Sequence, residues 1–120
     1  MTTLHDTISS ISASRNRRFK KARAVLKKLK AILVEKYAVD RIVLIGSFAE
    51  PGRFGFHSDI DLCVEGISDS LYFKAVGELL LEADDFDVDV IPIENATPEM
   101  KEKIMRGKVI YEKGRVHNRS

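Results

Sequence analysis

Asp59 and Asp61 flank a single isoleucine in the stretch Ser-Asp-Ile-Asp-Leu-Cys-Val, and a Gly46-Ser47 pair closes an apolar run upstream. On an extended strand, residues two apart share a face, so the two carboxylates stand side by side, about 7 Å apart at Cα. Ile60, Leu62 and Val64 take the opposite face. Like charges held this close raise each other's pKa unless a cation compensates. A hard divalent ion, Mg²⁺ or Mn²⁺, suits the position, because Mg²⁺ binds through few carboxylates plus substrate phosphates. A second acidic pair, Asp87 and Asp89, repeats the spacing in a later apolar run, and one of the two could complete a three-carboxylate site. Gly46 and Ser47 add a phosphate cradle: a strand that turns into a short helix at Ser47 presents backbone N–H groups and a hydroxyl outward. Glycine lets that backbone approach its ligand closely.

A bare Asp-x-Asp is more often a strand cap beside a solvated carboxylate, so the weight rests on the combination. Competing phosphate and metal motifs fail on particular residues. A P-loop needs Lys followed by Ser or Thr after its last glycine, whereas Arg53 and Phe54 follow Gly52. A calcium EF-hand loop counted from Asp59 needs glycine sixth, where Val64 stands. No G-x-G-x-x-G follows any apolar run. His57 reads as an unconstrained loop histidine, and Cys63 as a small buried hydrophobe rather than a nucleophile.

The elements that must hold these residues follow from periodicity. Phe19, Ala22, Leu26, Leu29 and Leu33 recur at steps of three and four, which predicts an amphipathic helix from about Ser14 to Tyr37. A shorter stripe, Leu4, Ile8 and Ile11, precedes it. Residues 41–46 and 59–66 read as buried strands, 69–83 as a helix with Asp69 or Ser70 as N-cap, and 86–93 as a third strand. Thr97, Pro98 and Gly107 bracket another helix as N-cap, first residue and terminator, and residues 108–112 form a last short strand. Tyr72 and Tyr111 read as packing aromatics with wet hydroxyls. The order is helix, strand, turn, strand, helix, strand, helix, strand: an α/β fold.

A length of 120 residues fits one domain, here 1–120 with a basic helical extension over about 1–37. Hydrophobic content of 44% builds a core, but no run approaches the ~20 apolar residues of a membrane span. The N-terminus lacks the basic-then-apolar order of a secretory signal, and one cysteine excludes an internal disulfide and a thiolate metal site. The expectation is a soluble, cytoplasmic protein. Its net charge of +2 conceals an uneven distribution: residues 15–30 hold nine Lys and Arg and no acid, while the remainder carries 11 basic and 18 acidic residues. That basic helix is a solvated face or a steering surface for RNA or an acidic partner. Phe19 is its one aromatic, so nucleic acid is not favoured.

The stretch Leu-Ile-Gly-Ser, a spacer, Ser-Asp-Ile-Asp-Leu-Cys-Val, then a helix and Phe-Asp-Val-Asp-Val-Ile resembles the minimal nucleotidyltransferases of the DNA polymerase β-like superfamily. The likeness runs from about residue 25 to 114. It implies a small mixed β-sheet flanked by helices, two Mg²⁺ ions (or Mn²⁺) held by Asp59, Asp61 and Asp89, and Gly46 and Ser47 on the phosphates of a nucleoside triphosphate, ATP. The implied reaction is transfer of AMP to an acceptor hydroxyl with release of pyrophosphate, Asp89 helping to deprotonate the acceptor. Two departures stand out: eleven residues separate Ser47 from Asp59, one more than the pattern, and Arg53 follows Gly52 where relatives carry Arg-Gly or Lys-Gly. The chain leaves no room for an acceptor-binding domain, so another chain is expected to complete the site. The resemblance implies an antitoxin that modifies a tyrosine of a HEPN toxin. The alternatives are an antitoxin that acts by contact alone, and a transferase modifying an antibiotic or another small molecule.

Overall fold

The computed structural model describes residues 4–46 and 59–114. Helix α1 (Leu4–Ala31) spans 28 residues and ends in one π-helical turn, Ile32–Lys36. It begins well before Ser14, so the two apolar stripes lie on one helix. No glycine or proline stands between residues 4 and 37, and the intervening serines cost a helix only about 0.5 kcal/mol each. Ala22, Leu29 and Leu33 are buried as expected, with Phe19 packed beside them; one position differs, Val25 being buried where Leu26 was expected and Leu26 only partly so. Ala38, at φ 51°, turns the chain out of the helix, and Val39 N–H donates to the Leu33 carbonyl at 3.3 Å.

Strands β1 (Arg41–Ile45), β2 (Ile60–Glu65), β3 (Val88–Pro92) and β4 (Lys108–Glu112) form one mixed sheet in the order β3-β2-β1-β4. β1 runs antiparallel to β2 and β4, and β2 runs parallel to β3. Parallel neighbours need a crossover, which helix α2 (Asp69–Glu82) provides. A 3₁₀ turn, Ile93–Asn95, and helix α3 (Pro98–Met105) lead to β4. Among the described residues, the three α-helices and four strands follow one another in the expected order; the turn expected after β1 lies outside the described residues.

Alternation divides the sheet into two unequal faces. Ile42, Leu44, Ile60, Leu62, Val64 and Val90 pack under α1 and α2, together with Leu79 and Phe86. On the other face, Val43, Ile45 and Cys63 pack against Ile104 of α3. The short α3 covers only part of that second face, and the acidic residues of β2 and β3 point out of it. No described helix is long and apolar enough to cross a membrane.

Local chemistry explains the boundaries. Thr97 Oγ1 accepts from Met100 N–H at 3.2 Å, capping α3 as expected. The N-cap of α2 is Ser68, not Asp69 or Ser70; its hydroxyl lies 3.2 Å from Ser70 Oγ instead of capping an amide. Tyr72 differs too: its hydroxyl donates to the Val90 carbonyl, occupying an acceptor of edge strand β3. Between β1 and β4 the register slips at Ile42/Val43, leaving Ile110 as the extra residue of a bulge. Both Ile110 and Tyr111 therefore pack on the α1 side.

Gly107 lets α3 and β4 sit close on β1. A Cβ there would lie 2.7 Å from Val43 Cγ1 and 2.8 Å from the Leu44 carbonyl oxygen, a backbone atom that cannot swing away. Gly107→Ala is expected to cost about 2 kcal/mol in denaturant titration. Gly77, inside α2, has nothing within 4 Å of its Cβ position. Gly77→Ala is expected to gain about 0.5–1 kcal/mol from helix propensity. Equal effects at the two sites would contradict the packing described for Gly107.

Candidate active site

β2 and β3 bring the acidic residues together by register. Asp61 is paired with Asp89 across the parallel strands, one step after Ile60 with Val88, which sets the two Cα atoms about 5 Å apart. Ile60 N–H donates to the Asp87 carbonyl at 2.9 Å, so Asp87 anchors the start of this pairing through its backbone. On the other side, Asp61 is paired with Ile45, the last residue of β1. The next residue, Gly46, has φ 81°, and a Cβ built on it would lie 2.6 Å from Asp61 Oδ2. The Asp61 carboxylate thus lies against bare glycine backbone. Asp59, Asp87 and Asp89 are exposed, while Asp61 is partly buried.

Electrostatics identify Asp61 as the centre of the group. Its carboxyl is pushed above the usual range, first by burial, then by the charge of Asp89, then by that of Asp59, with Lys103 opposing. Three carboxylates therefore share one field, and Asp87 is not among those that raise Asp61. Cys63, next on the same face, is pushed up to about 11 by burial and by Asp61 and Asp89. It is a protonated, buried thiol, not a nucleophile. Tyr72 is raised by burial and by Asp89. Lys103 is the residue that sequence pattern does not reveal. It precedes buried Ile104 on α3, the helix that covers part of the Asp61 face. Its effect depends on where α3 docks, and no local pattern carries that. Ser47, Arg53 and His57 lie outside the described residues.

A family model described as polymerase beta, nucleotidyltransferase matches residues 27–115. The chain belongs to this nucleotidyltransferase family. Its fold resembles that of a chain in a crystal structure of a toxin–antitoxin with AMP-PNP: TM-score 0.59, 22% identity, covering 72% of this chain and 73% of that one. A mutant of the toxin–antitoxin MntA–HpeT gives a TM-score of 0.56 at 22% identity, covering 73% of this chain and 72% of that one. At such identity the likeness establishes the fold. No curated protein matches the chain significantly.

Members of the family act on phosphate, and the acidic group suits a hard cation. All its donors are carboxylate oxygens, and their mutual repulsion at Asp61 is what a divalent ion relieves. Among the described residues, no three carboxylate, thiol or imidazole side chains converge on one point. An ion shared by the group thus needs the carboxylates to turn toward it, or phosphate oxygens and water to fill the remaining positions, the usual habit of Mg²⁺.

Proposed function

We propose that this nucleotidyltransferase moves AMP from ATP onto a hydroxyl in a Mg²⁺-dependent reaction, that the acceptor is a tyrosine of a HEPN toxin, and that the modification silences the toxin in the cytoplasm. The observation that carries the reading is the register pair Asp61–Asp89, with Asp59 in the same field and Gly46 against the Asp61 carboxylate. The partner is supported by the two toxin–antitoxin structures of like fold, one of them with an ATP analogue.

The chemistry follows from these positions. The acceptor oxygen forms a bond to the α-phosphorus, the bond from that phosphorus to the bridging oxygen of the β-phosphate breaks, and pyrophosphate leaves. Bound divalent ions, Mg²⁺ or Mn²⁺, supply charge stabilisation to the entering and leaving oxygens. Asp59, Asp61 and Asp89 would hold those ions. Gly46 brings the backbone to the phosphates without a side chain, and Ser47 adds its hydroxyl. Asp89, exposed at the strand edge, accepts the proton of the acceptor hydroxyl.

The test is incubation with α-labelled ATP, Mg²⁺ and a HEPN protein, followed by mapping of the label. Label on a tyrosine is expected. Asp89→Asn is expected to lose about a hundredfold to a thousandfold in rate, and Asp87→Asn to stay within about tenfold of the parent. A larger loss for Asp87→Asn would move the third carboxylate to that residue. Absence of transfer to any acceptor, with no ATP binding, would sink the enzymatic reading. Full silencing by the Asp59→Asn/Asp61→Asn double variant would replace it with inhibition by contact.

A further inference from the structure

The cations of α1 and its terminal turn stand on two sides, and the two sides keep different company. Toward α2, Arg18 and Lys21 lie 3.9 and 2.9 Å from Asp85, Lys28 lies 3.6 Å from Glu82, and Lys36 lies 2.9 Å from Glu78. Toward β4, Lys20, Arg23, Lys27 and Lys30 line an open groove of about 600 Å³, with Lys108 on its strand side. Among the described residues no acidic side chain lines this groove. Like charges at these spacings repel by a few tenths of a kcal/mol per pair.

Beneath the cations runs an apolar floor, Leu26 and Ile110. Both reach it through departures from regular pattern. Val25 is buried in the place of Leu26, which is left half-buried, and the bulge in β4 packs Ile110 on the α1 side. β4 is an edge strand of the sheet.

The ligand chemistry follows from this pairing of charge and apolar surface. Single-stranded nucleic acid is held by aromatic stacking above a basic track, and no aromatic lines the groove. A phosphodiester backbone gains nothing from Leu26 and Ile110. An acidic amphipathic helix uses both features. The cations advance at steps of three, four and three residues, over about 15 Å from Lys20 to Lys30, and a second helix repeats with the same period. We propose that this groove docks an acidic amphipathic helix of a partner protein, its carboxylates facing Lys20, Arg23, Lys27 and Lys30 and its apolar stripe on Leu26 and Ile110. The groove lies on the sheet face opposite Asp61 and at the edge opposite β3, so its occupant leaves the acidic site open. Lys20 and Arg23 precede residue 27, where the family match begins, so half of the helical cation row belongs to this chain's own N-terminal segment. The inference stands whether or not the chain transfers a nucleotide.

Fluorescence anisotropy tests it with the full chain and a labelled synthetic helix carrying Glu at i, i+3, i+7 and i+10 beside a leucine stripe. Binding is expected at low salt and should weaken as salt rises. Charge reversal by Lys20→Glu/Arg23→Glu/Lys27→Glu should weaken it at least about tenfold, and Lys101→Glu on α3 should leave it unchanged. Circular dichroism checks that the triple variant is folded; if it is not, Lys20→Ala/Arg23→Ala is read by the same standard. Three results would each overturn the proposal: no binding at low salt, a scrambled peptide of equal composition binding as tightly, or a single-stranded RNA of equal charge binding more tightly than the helix.

Discussion

Replacing Asp61 with asparagine is expected to lower transfer by about a thousandfold and, without divalent ions at pH 7, to raise the melting temperature. The two effects share one cause. The Asp61 carboxyl is pushed up by burial and by its neighbours Asp89 and Asp59, so ionising it costs more in the fold than in the unfolded chain. A group whose folded pKa is raised contributes stability that is fully present below the unfolded carboxylate pKa and is lost as pH climbs through the folded value. Asparagine keeps the shape and removes the charge. The advantage of the variant should therefore be near zero around pH 3 and grow toward neutrality. Glu78 and Asp85 titrate in the opposite sense, Glu78 lowered first by its hydrogen bond from Tyr37 and then by Lys36, Asp85 by Lys21, but they are common to both proteins and cancel in the difference. Millimolar Mg²⁺ at pH 7 should raise the melting temperature of the parent more than that of the variant, because binding to the native state stabilises by mass action. Calorimetry across pH, with and without Mg²⁺, measures all of this. A variant that melts lower than the parent at pH 7 would show that the acidic group carries no strain.

The fold was legible where local pattern decides. Short apolar runs ending in glycine specify β1 and β2, and a three–four stripe specifies α2. The period-2 argument placed Asp59 and Asp61 on one face and Ile60, Leu62 and Val64 on the other, as the two clusters of the sheet require. The features that sequence did not yield depend on distant partners. Pairing of Asp61 with Asp89 needs β2 and β3 to be parallel neighbours in one particular register, set by the length of α2 and its connections. The approach of Lys103 needs α3 to dock over Cys63. Tyr72 finds its acceptor only because β3 is an edge strand with carbonyls turned outward. The burial of Val25 beside Ala22 and Leu29 is decided by the two surfaces beneath the helix, and it leaves Leu26 packed partly on the core and partly in the wall of the basic groove.

The same dependence on distant contacts makes Gly46 a sharper test of the site than any single carboxylate. Its φ of 81° alone makes an alanine there strained, by about 1–2 kcal/mol. The alanine Cβ would also fall 2.6 Å from Asp61 Oδ2, the free end of a short side chain. That oxygen can turn away, so the steric conflict is discharged by moving the carboxylate rather than by unfolding. Gly46→Ala is therefore expected to lose about 2 kcal/mol of stability, most of it the φ penalty, but about a hundredfold in transfer rate, the penalty of misplacing a reacting group by about 1 Å. A double-mutant cycle separates the two causes. In an Asp61→Ala background the oxygen is gone and the φ penalty stays, so the stability cost of Gly46→Ala should shrink but not vanish. Strict additivity would mean that glycine backbone and carboxylate do not meet. An undiminished transfer rate in the single variant would mean that Asp61 works from a position other than the one it occupies beside Gly46.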